Sequence, residues 1–180
     1  MLNLPAFKAA AVQASPVFLD TPATIDKVCD LIREAASNGA SLIVFPEVFV
    51  PAYPYWSWVA SPVAASPWFQ RLCEAAVEVP GPEFARIAQT AKTLGVHVAI
   101  GINERSVRSV SLLYNTMLLI GPDGRLLGRH AYRAHHLLPA VRIRADVGEI
   151  LGVEGQSTDP AFAVVAAEAV FAEERSVGVG

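Results

Sequence analysis

The chain has 180 residues, of which 53% are hydrophobic, and this is enough to bury one substantial core, so we expect a single globular domain. A net charge of -3 provides no electrostatic footprint for nucleic acid or for an anionic membrane surface, which leaves small molecules and other proteins as the expected partners. Two cysteines, no charged-then-apolar leader and no apolar run of membrane-spanning length predict a cytoplasmic protein. The high alanine and valine content favours either a large buried sheet or self-association into a homo-oligomer.

The first part of the chain has the pattern of a strand-helix-strand unit. A short apolar run at residues 7–13 predicts a buried strand, and apolar residues then recur at helical spacing from Thr21 until Gly39, a typical residue beyond a helix end. Residues 41–45 form a continuous apolar run, which predicts a strand covered on both faces. The two strands should be parallel with a right-handed crossover. Functional groups in such sheets lie just beyond the carboxyl ends of strands, and Glu47 occupies that position.

A long aromatic loop is expected next. Residues 50–67 are rich in proline, tryptophan, tyrosine and serine and have neither the helical nor the strand period, which predicts a loop over the strand ends. A helix is predicted at residues 68–77. A second crossover helix is predicted at residues 82–94, because apolar residues share one face there and a glycine follows.

The sheet is expected to become mixed after a further strand at residues 96–102. Residues 112–120 and 125–130 flank the sequence Gly-Pro-Asp-Gly, in which proline presets φ and glycine accepts a positive φ. These two segments should therefore pair as an antiparallel hairpin.

One segment resembles a known family signature. Residues 39–54, GASLIVFPEVFVPAYP, resemble the first signature of the nitrilase or carbon-nitrogen hydrolase superfamily, in which an apolar strand delivers a glutamate followed by an aromatic loop that contains proline. The continuation at residues 53–58, YPYWSW, is similar to the nitrilase branch rather than to the amidases or ureidopropionases. Ala52 departs from the pattern, because the family usually has glycine there.

Further similarities follow in the family's order. Residues 8–20 resemble its opening strand, residues 103–105 its third inner strand, and residues 113–130 the hairpin that leads to its catalytic lysine. The resemblance covers residues 7–130. It implies an α/β fold, namely an α-β-β-α sandwich that is incomplete on the C-terminal side and whose protomers associate through helical faces. Residues 1–130 would then be the N-terminal part of the hydrolase domain, and residues 131–180 a divergent tail.

The resemblance also implies a chemistry. Members of the family use a cysteine nucleophile, a glutamate base and a lysine that stabilises the intermediate, and the nitrilase branch converts an organic nitrile to a carboxylic acid and ammonia without a cofactor. Glu47 matches the base, and we expect it beneath the aromatic loop. Tyr53, Trp56 and Trp58 are candidates for the wall of the substrate pocket, although aromatic residues in loops are as often structural.

The lysine and the cysteine have no evident counterpart. Two alignments after His130 place either Tyr132 or Ala134 at the lysine position, and the best counterpart of the nucleophile strand is residues 164–168, VVAAE, which has no cysteine. Cys29 and Cys73 share helix faces with apolar residues, which predicts small core side chains.

Two alternatives to an active nitrilase therefore stay open. One is a catalytically inactive nitrilase-like fragment that binds small molecules or associates with other subunits. The other is an amidase or carbamoyl hydrolase of the same superfamily. No metal site is expected, because the adjacent side chains of His135 and His136 diverge and no acidic residue or cysteine lies at ligand spacing from them.

Overall fold

The computed structural model of the chain describes residues 6–107 and 109–133, with the backbone alone for residues 109–111, 132 and 133. These residues form one sheet with the strand order β1-β2-β3-β4-β5. The first three strands are parallel, and β3, β4 and β5 are antiparallel neighbours, so the predicted mixed sheet and α/β class are confirmed. The strands are β1 (Ala9–Ala11), β2 (Leu42–Val44), β3 (His97–Ser106), β4 (Ser109–Ile120) and β5 (Leu126–Arg133).

Among the described residues, three α-helices and one short 3₁₀ helix accompany the sheet. They are α1 (Thr21–Ser37), the 3₁₀ helix Tyr55–Trp58, α2 (Pro62–Ala75) and α3 (Pro82–Leu94). The predicted positions of α1 and α3 are confirmed. The side chain of Asp20 caps α1 by accepting a hydrogen bond from the N–H of Ala23, and Gly39 follows the helix with φ of 84°. In the part of the chain that the structure describes, no helix combines the length and apolar character needed to cross a membrane.

Some element boundaries differ from the prediction. The helix expected from residue 68 begins at Pro62, because the hydroxyl of Ser61 accepts a hydrogen bond from the N–H of Ala64 and proline suits the first helical position. The aromatic loop is correspondingly shorter and contains the 3₁₀ helix. Strand β1 is shorter than predicted, whereas β3 extends to Ser106 because its edge continues to pair after β2 ends, first with Val50 and then with Val77.

The main core lies between one face of the sheet and the helices α1 and α3. Successive strand residues alternate between faces, so the even-numbered residues of β3 and β4 contribute to this core and the odd-numbered ones lie on the opposite face. Cys29 is buried in the same core, as predicted. The described residues thus supply one helical layer and one sheet of the expected sandwich. Fully buried members include Ile25, Val28, Ile32, Ile87, Ile43, Val98, Ile100, Leu118 and Ile120.

A buried charge joins the three antiparallel strands. Glu104 of β3 is only 2% exposed, and its carboxylate accepts hydrogen bonds from the Thr116 hydroxyl of β4 at 2.9 Å and from Nε of Arg129 of β5 at 3.0 Å. Nη2 of Arg129 donates to the second carboxylate oxygen. A buried carboxylate needs such donors, because its desolvation is costly without them. The cluster therefore fixes the register of β5 against β3.

We expect Arg129→Met to lower the free energy of unfolding by about 3 kcal/mol, because it leaves the buried Glu104 carboxylate without its cation. Replacing both members, as in Glu104→Met with Arg129→Met, should restore most of that loss. Arg125→Met is the matched control, since Arg125 is highly exposed and lies 4.0 Å from Asp123, and it should leave stability unchanged. Urea denaturation of the four proteins provides the measurement. Equal losses for the single and double variants would contradict this account.

Candidate functional site

An arch of four residues leaves the sheet and returns to it. The chain departs from the sheet after Phe45, whose N–H still donates to the carbonyl of Ala99 at 2.8 Å, and rejoins the edge of β3 at Val50, whose N–H donates to the carbonyl of Gly101 at 3.3 Å. The carbonyl of Val50 accepts from the N–H of Asn103 at 2.7 Å. Residues 46–49, the arch, therefore have both ends fastened to the sheet. They carry Glu47 beyond the end of β2, where the sequence predicts it.

The backbone of the arch packs directly on Gly101. A Cβ atom at Gly101 would lie 2.4 Å from the nitrogen of Val48, 2.6 Å from the carbonyl oxygen of Pro46 and 2.7 Å from Cα of Glu47. Only a residue without a side chain permits this approach of backbone to sheet. Val48 has φ of 49°, which is strained for a β-branched residue, and the close fit of the arch holds it there.

The Glu47 carboxylate is bound from the same sheet face. Nδ2 of Asn115 donates a hydrogen bond to Oε1 of Glu47. Asn115 is paired with Asn103 across β3 and β4, next to Gly101 on the odd-numbered face. Glu47 is exposed to solvent in the described part of the chain. The aromatic loop therefore does not enclose the carboxylate within the described part of the chain.

Three aromatic rings, which we call the aromatic trio, pack on one another near Glu47. The ring centroid of Tyr53 lies 4.9 Å from that of Tyr55 and 5.7 Å from that of Trp58. Burial raises the pKa of the Tyr53 phenol, and the negative charge of Glu47 raises it further, followed by a smaller contribution from Tyr55. Tyr55 and Trp58 remain 63% and 65% exposed. The trio is thus an accessible apolar surface whose inner ring is electrostatically coupled to the carboxylate.

Trp56 belongs to a different cluster. Its ring lies 5.9 Å from Phe18, edge-on, and 6.1 Å from Trp68 of α2. It also packs against the small core formed around Leu72 and Leu113. Of the three aromatic residues predicted to line a pocket, the structure brings Tyr53 and Trp58 together and positions Trp56 between the loop and α2.

Several residues of this site were not predicted from the sequence. Gly101 interrupts an apolar strand, a pattern that indicates either a bulge or a close approach of another backbone. Tyr55 lies in the same aromatic run as Tyr53. Asn115 carries no comparable local signal, because its importance arises from a contact with a residue distant in sequence.

Neither cysteine resembles an activated nucleophile. Cys29 of α1 is buried in the main core, where its sulfur accepts a hydrogen bond from the hydroxyl of Thr90 of α3 at 3.4 Å. Cys73 of α2 is half-buried, and burial, followed by the charge of Glu74, raises the pKa of its thiol, while Arg105 acts in the opposite direction. A raised pKa disfavours the thiolate that nucleophilic attack requires. Only the backbone of Tyr132 is described, and Ala134, His135, His136 and residues 164–168 lie outside the described residues.

A groove of about 860 Å³ lies elsewhere on the molecule. It is formed by residues 17–22, the end of α2 and the segment leading to α3, and its lining does not include Glu47. Arg105 in its wall is already paired with Glu78 at 2.8 Å. The groove therefore contributes nothing to the arrangement around Glu47.

Comparison with known proteins identifies the family to which the chain is similar. The family model described as carbon-nitrogen hydrolase matches residues 8–174. A nitrilase of Bacillus sp. (strain OxB-1) is 42% identical over 72% of this chain and 37% of its own length, and an aliphatic nitrilase of Rhodococcus rhodochrous is 44% identical over 68% of this chain and 33% of its own. The chain thus spans about a third of the length of these relatives. A solved carbon-nitrogen hydrolase of Helicobacter pylori has the same fold, with a TM-score of 0.54 at 20% identity, over 73% of this chain and 40% of its own.

Gly101→Ala should destabilise the protein by about 1–3 kcal/mol and displace the arch, since the new methyl group would overlap backbone atoms that cannot move independently. Gly128→Ala is the matched control on β5, where a Cβ atom would meet only Cβ of Leu119 at 3.7 Å. Urea denaturation of both variants is the measurement. Equal stability of the two would show that the arch does not rest on Gly101.

Glu47→Gln should lower the pH at which Tyr53 ionises, because it removes the negative charge that helps to raise this pKa. Ultraviolet absorbance during an alkaline titration reports the ionisation, and Tyr53→Phe identifies the signal. Glu74→Gln serves as the control glutamate on α2. An unchanged Tyr53 titration in Glu47→Gln would be inconsistent with the described proximity.

Proposed function

We propose that this chain, which belongs to the carbon-nitrogen hydrolase family, supplies the general base of a nitrilase-type centre that converts an organic nitrile to a carboxylic acid and ammonia. Glu47 is that base. The observation that carries the proposal is the arch, which extends Glu47 beyond β2 and against Asn115 while both its ends stay bound to the sheet.

The geometry suits the work of a base. A general base must reach the proton that it removes, and the exposed Glu47 carboxylate is open to a water molecule or a thiol. The aromatic trio offers the apolar surface beside it that an organic nitrile would contact, so Tyr53 and Trp58 are proposed as parts of the pocket wall. Trp56 acts in this proposal as a support for that wall from the loop side. The reaction itself uses no cofactor.

The positions of the two cysteines favour a second candidate function, which is not catalytic. In a Cys-Glu-Lys mechanism the thiol must lie within reach of the base, whereas Cys29 of α1 is buried in the main core and Cys73 of α2 packs on the small core around Leu72 and Leu113. The sequence contains no third cysteine. The alternative is therefore a non-catalytic nitrilase-like module that binds small molecules or associates with other subunits.

A third candidate function, that of an amidase or carbamoyl hydrolase, differs from the nitrilase function in the class of substrate. An amidase or carbamoyl hydrolase could use the same base, but the relatives with more than 40% identity cited above are nitrilases. Nitriles are accordingly the proposed substrates and amides the alternative.

The proposal also covers the domain organisation, the cellular location and the assembly of the protein. In this proposal residues 1–130 are the N-terminal part of the hydrolase domain, and residues 131–180 are a divergent tail that the family model still matches as far as residue 174 but that lacks the lysine and cysteine motifs of the family. The protein acts in the cytoplasm and as a homo-oligomer, without nucleic acid or membrane partners.

Ammonia release by purified protein from a panel of aliphatic and aromatic nitriles tests the proposal, and Glu47→Gln should lower the rate of any such release by about 10²–10⁴-fold, the usual contribution of a general base. Glu74→Gln, which changes an exposed glutamate of α2, is the matched control and should retain the rate. Activity from contaminating host enzymes would persist unchanged in Glu47→Gln as well as in the control.

Other outcomes decide between the candidates. Release from amides alone would favour the amidase alternative. No release from folded wild-type protein would contradict the nitrilase proposal for this chain and support the binding module.

A further inference from the structure

The contact between Asn115 and Glu47 joins a rigid element to a flexible side chain. Asn115 lies within β4, paired with Asn103 of β3 on one side and with Tyr132 of β5 on the other. Its backbone is therefore held by both neighbouring strands. The carboxylate of Glu47, by contrast, ends a longer and solvent-exposed side chain that projects from the arch. The position of the amide consequently decides where the carboxylate comes to rest.

The contact pairs a donor with an acceptor. Nδ2 of Asn115 donates to Oε1 of Glu47, and a hydrogen bond to a carboxylate is shorter and stronger than one between neutral groups. Asn103 on the adjacent strand makes a different contact, because its own Nδ2 donates to the carbonyl of Ala52 at 2.9 Å. Asn103 thus binds the aromatic loop, and Asn115 binds the Glu47 carboxylate.

We propose that Asn115 is the positioning residue of the general base, fixing the orientation of the Glu47 carboxylate through its side-chain amide. This inference rests on the proposed function of Glu47. Asn115 itself does not take part in the bond-making steps. Its contribution is geometric, and misplacement of a reacting group by about 1 Å can cost about 10²-fold in rate.

The first test needs no turnover. In wild-type protein the Nδ2 proton signals of Asn115, assigned by their loss in Asn115→Leu, should shift as the pH is lowered from about 7 to about 3, the range in which carboxyl groups ordinarily titrate. The shift should vanish in Glu47→Gln, whose amide does not titrate. Tyr53, the other titratable group described beside Glu47, stays uncharged throughout, because its pKa is raised above 10.0.

The control for this test is Gln89 on α3. Its Nε2 donates to the hydroxyl of Thr93, so its signals should not follow the pH in either protein. An Asn115 signal that shows no pH dependence in the wild type, or the same dependence in Glu47→Gln, would overturn the proposal.

The second test uses catalysis. Asn115→Leu, which keeps the size of the side chain and removes the donor, should lower kcat about 10²-fold with little change in KM. Asn115→Asp should move the acidic limb of the pH-activity profile to higher pH, because a second carboxylate disfavours ionisation of the first. Gln89→Ala should leave both parameters and the profile unchanged.

The two tests separate this inference from the function on which it rests. Absence of turnover in the wild type contradicts the proposed function, and the nuclear magnetic resonance titration then still decides whether Asn115 holds Glu47. Turnover with a loss confined to KM in Asn115→Leu, or an unmoved profile in Asn115→Asp, would overturn the positioning role.

Discussion

The site depends on the missing side chain at Gly101. Backbone atoms of Pro46, Glu47 and Val48 occupy the space that any Cβ atom at that position would need. The arch can therefore lie directly on β3, within reach of the amide of Asn115 on β4. This close approach also offsets the unfavourable backbone conformation of Val48, since the arch has no room to relax away from the sheet.

Three consecutive residues of β3 make different contacts, because successive side chains of a strand point to opposite faces of the sheet. Asn103 points to the face of the arch and binds the carbonyl of Ala52, whereas Glu104 points to the helical face and pairs with Arg129. Arg105 returns to the first face and pairs with Glu78. Three consecutive polar residues on β3 thus fasten the aromatic loop, the strand β5 and the segment before α3. This arrangement explains why a short polar motif follows an apolar strand.

The sequence predicts this fold well where the signals are local. Periodicity and capping residues predict α1, α3 and the hairpin, and a strand end followed by a glutamate predicts where Glu47 lies. Contacts between residues distant in sequence are a different matter. Nothing near Asn115 indicates its bond to Glu47, and nothing in residues 53–58 indicates that Trp56 packs toward α2 while Trp58 joins Tyr53. Such contacts depend on how elements meet, which composition and spacing do not specify.

The most direct test of this account is the nuclear Overhauser effect between the Hα protons of Gly101 and the Hα proton of Glu47. A strong cross-peak is predicted, because one Gly101 proton points at Cα of Glu47 across the close contact between arch and sheet. If Gly101 instead shows contacts only to its strand neighbours, the arch does not rest on β3. The proposed support of Glu47 by the contact between the arch and Gly101 would then be wrong.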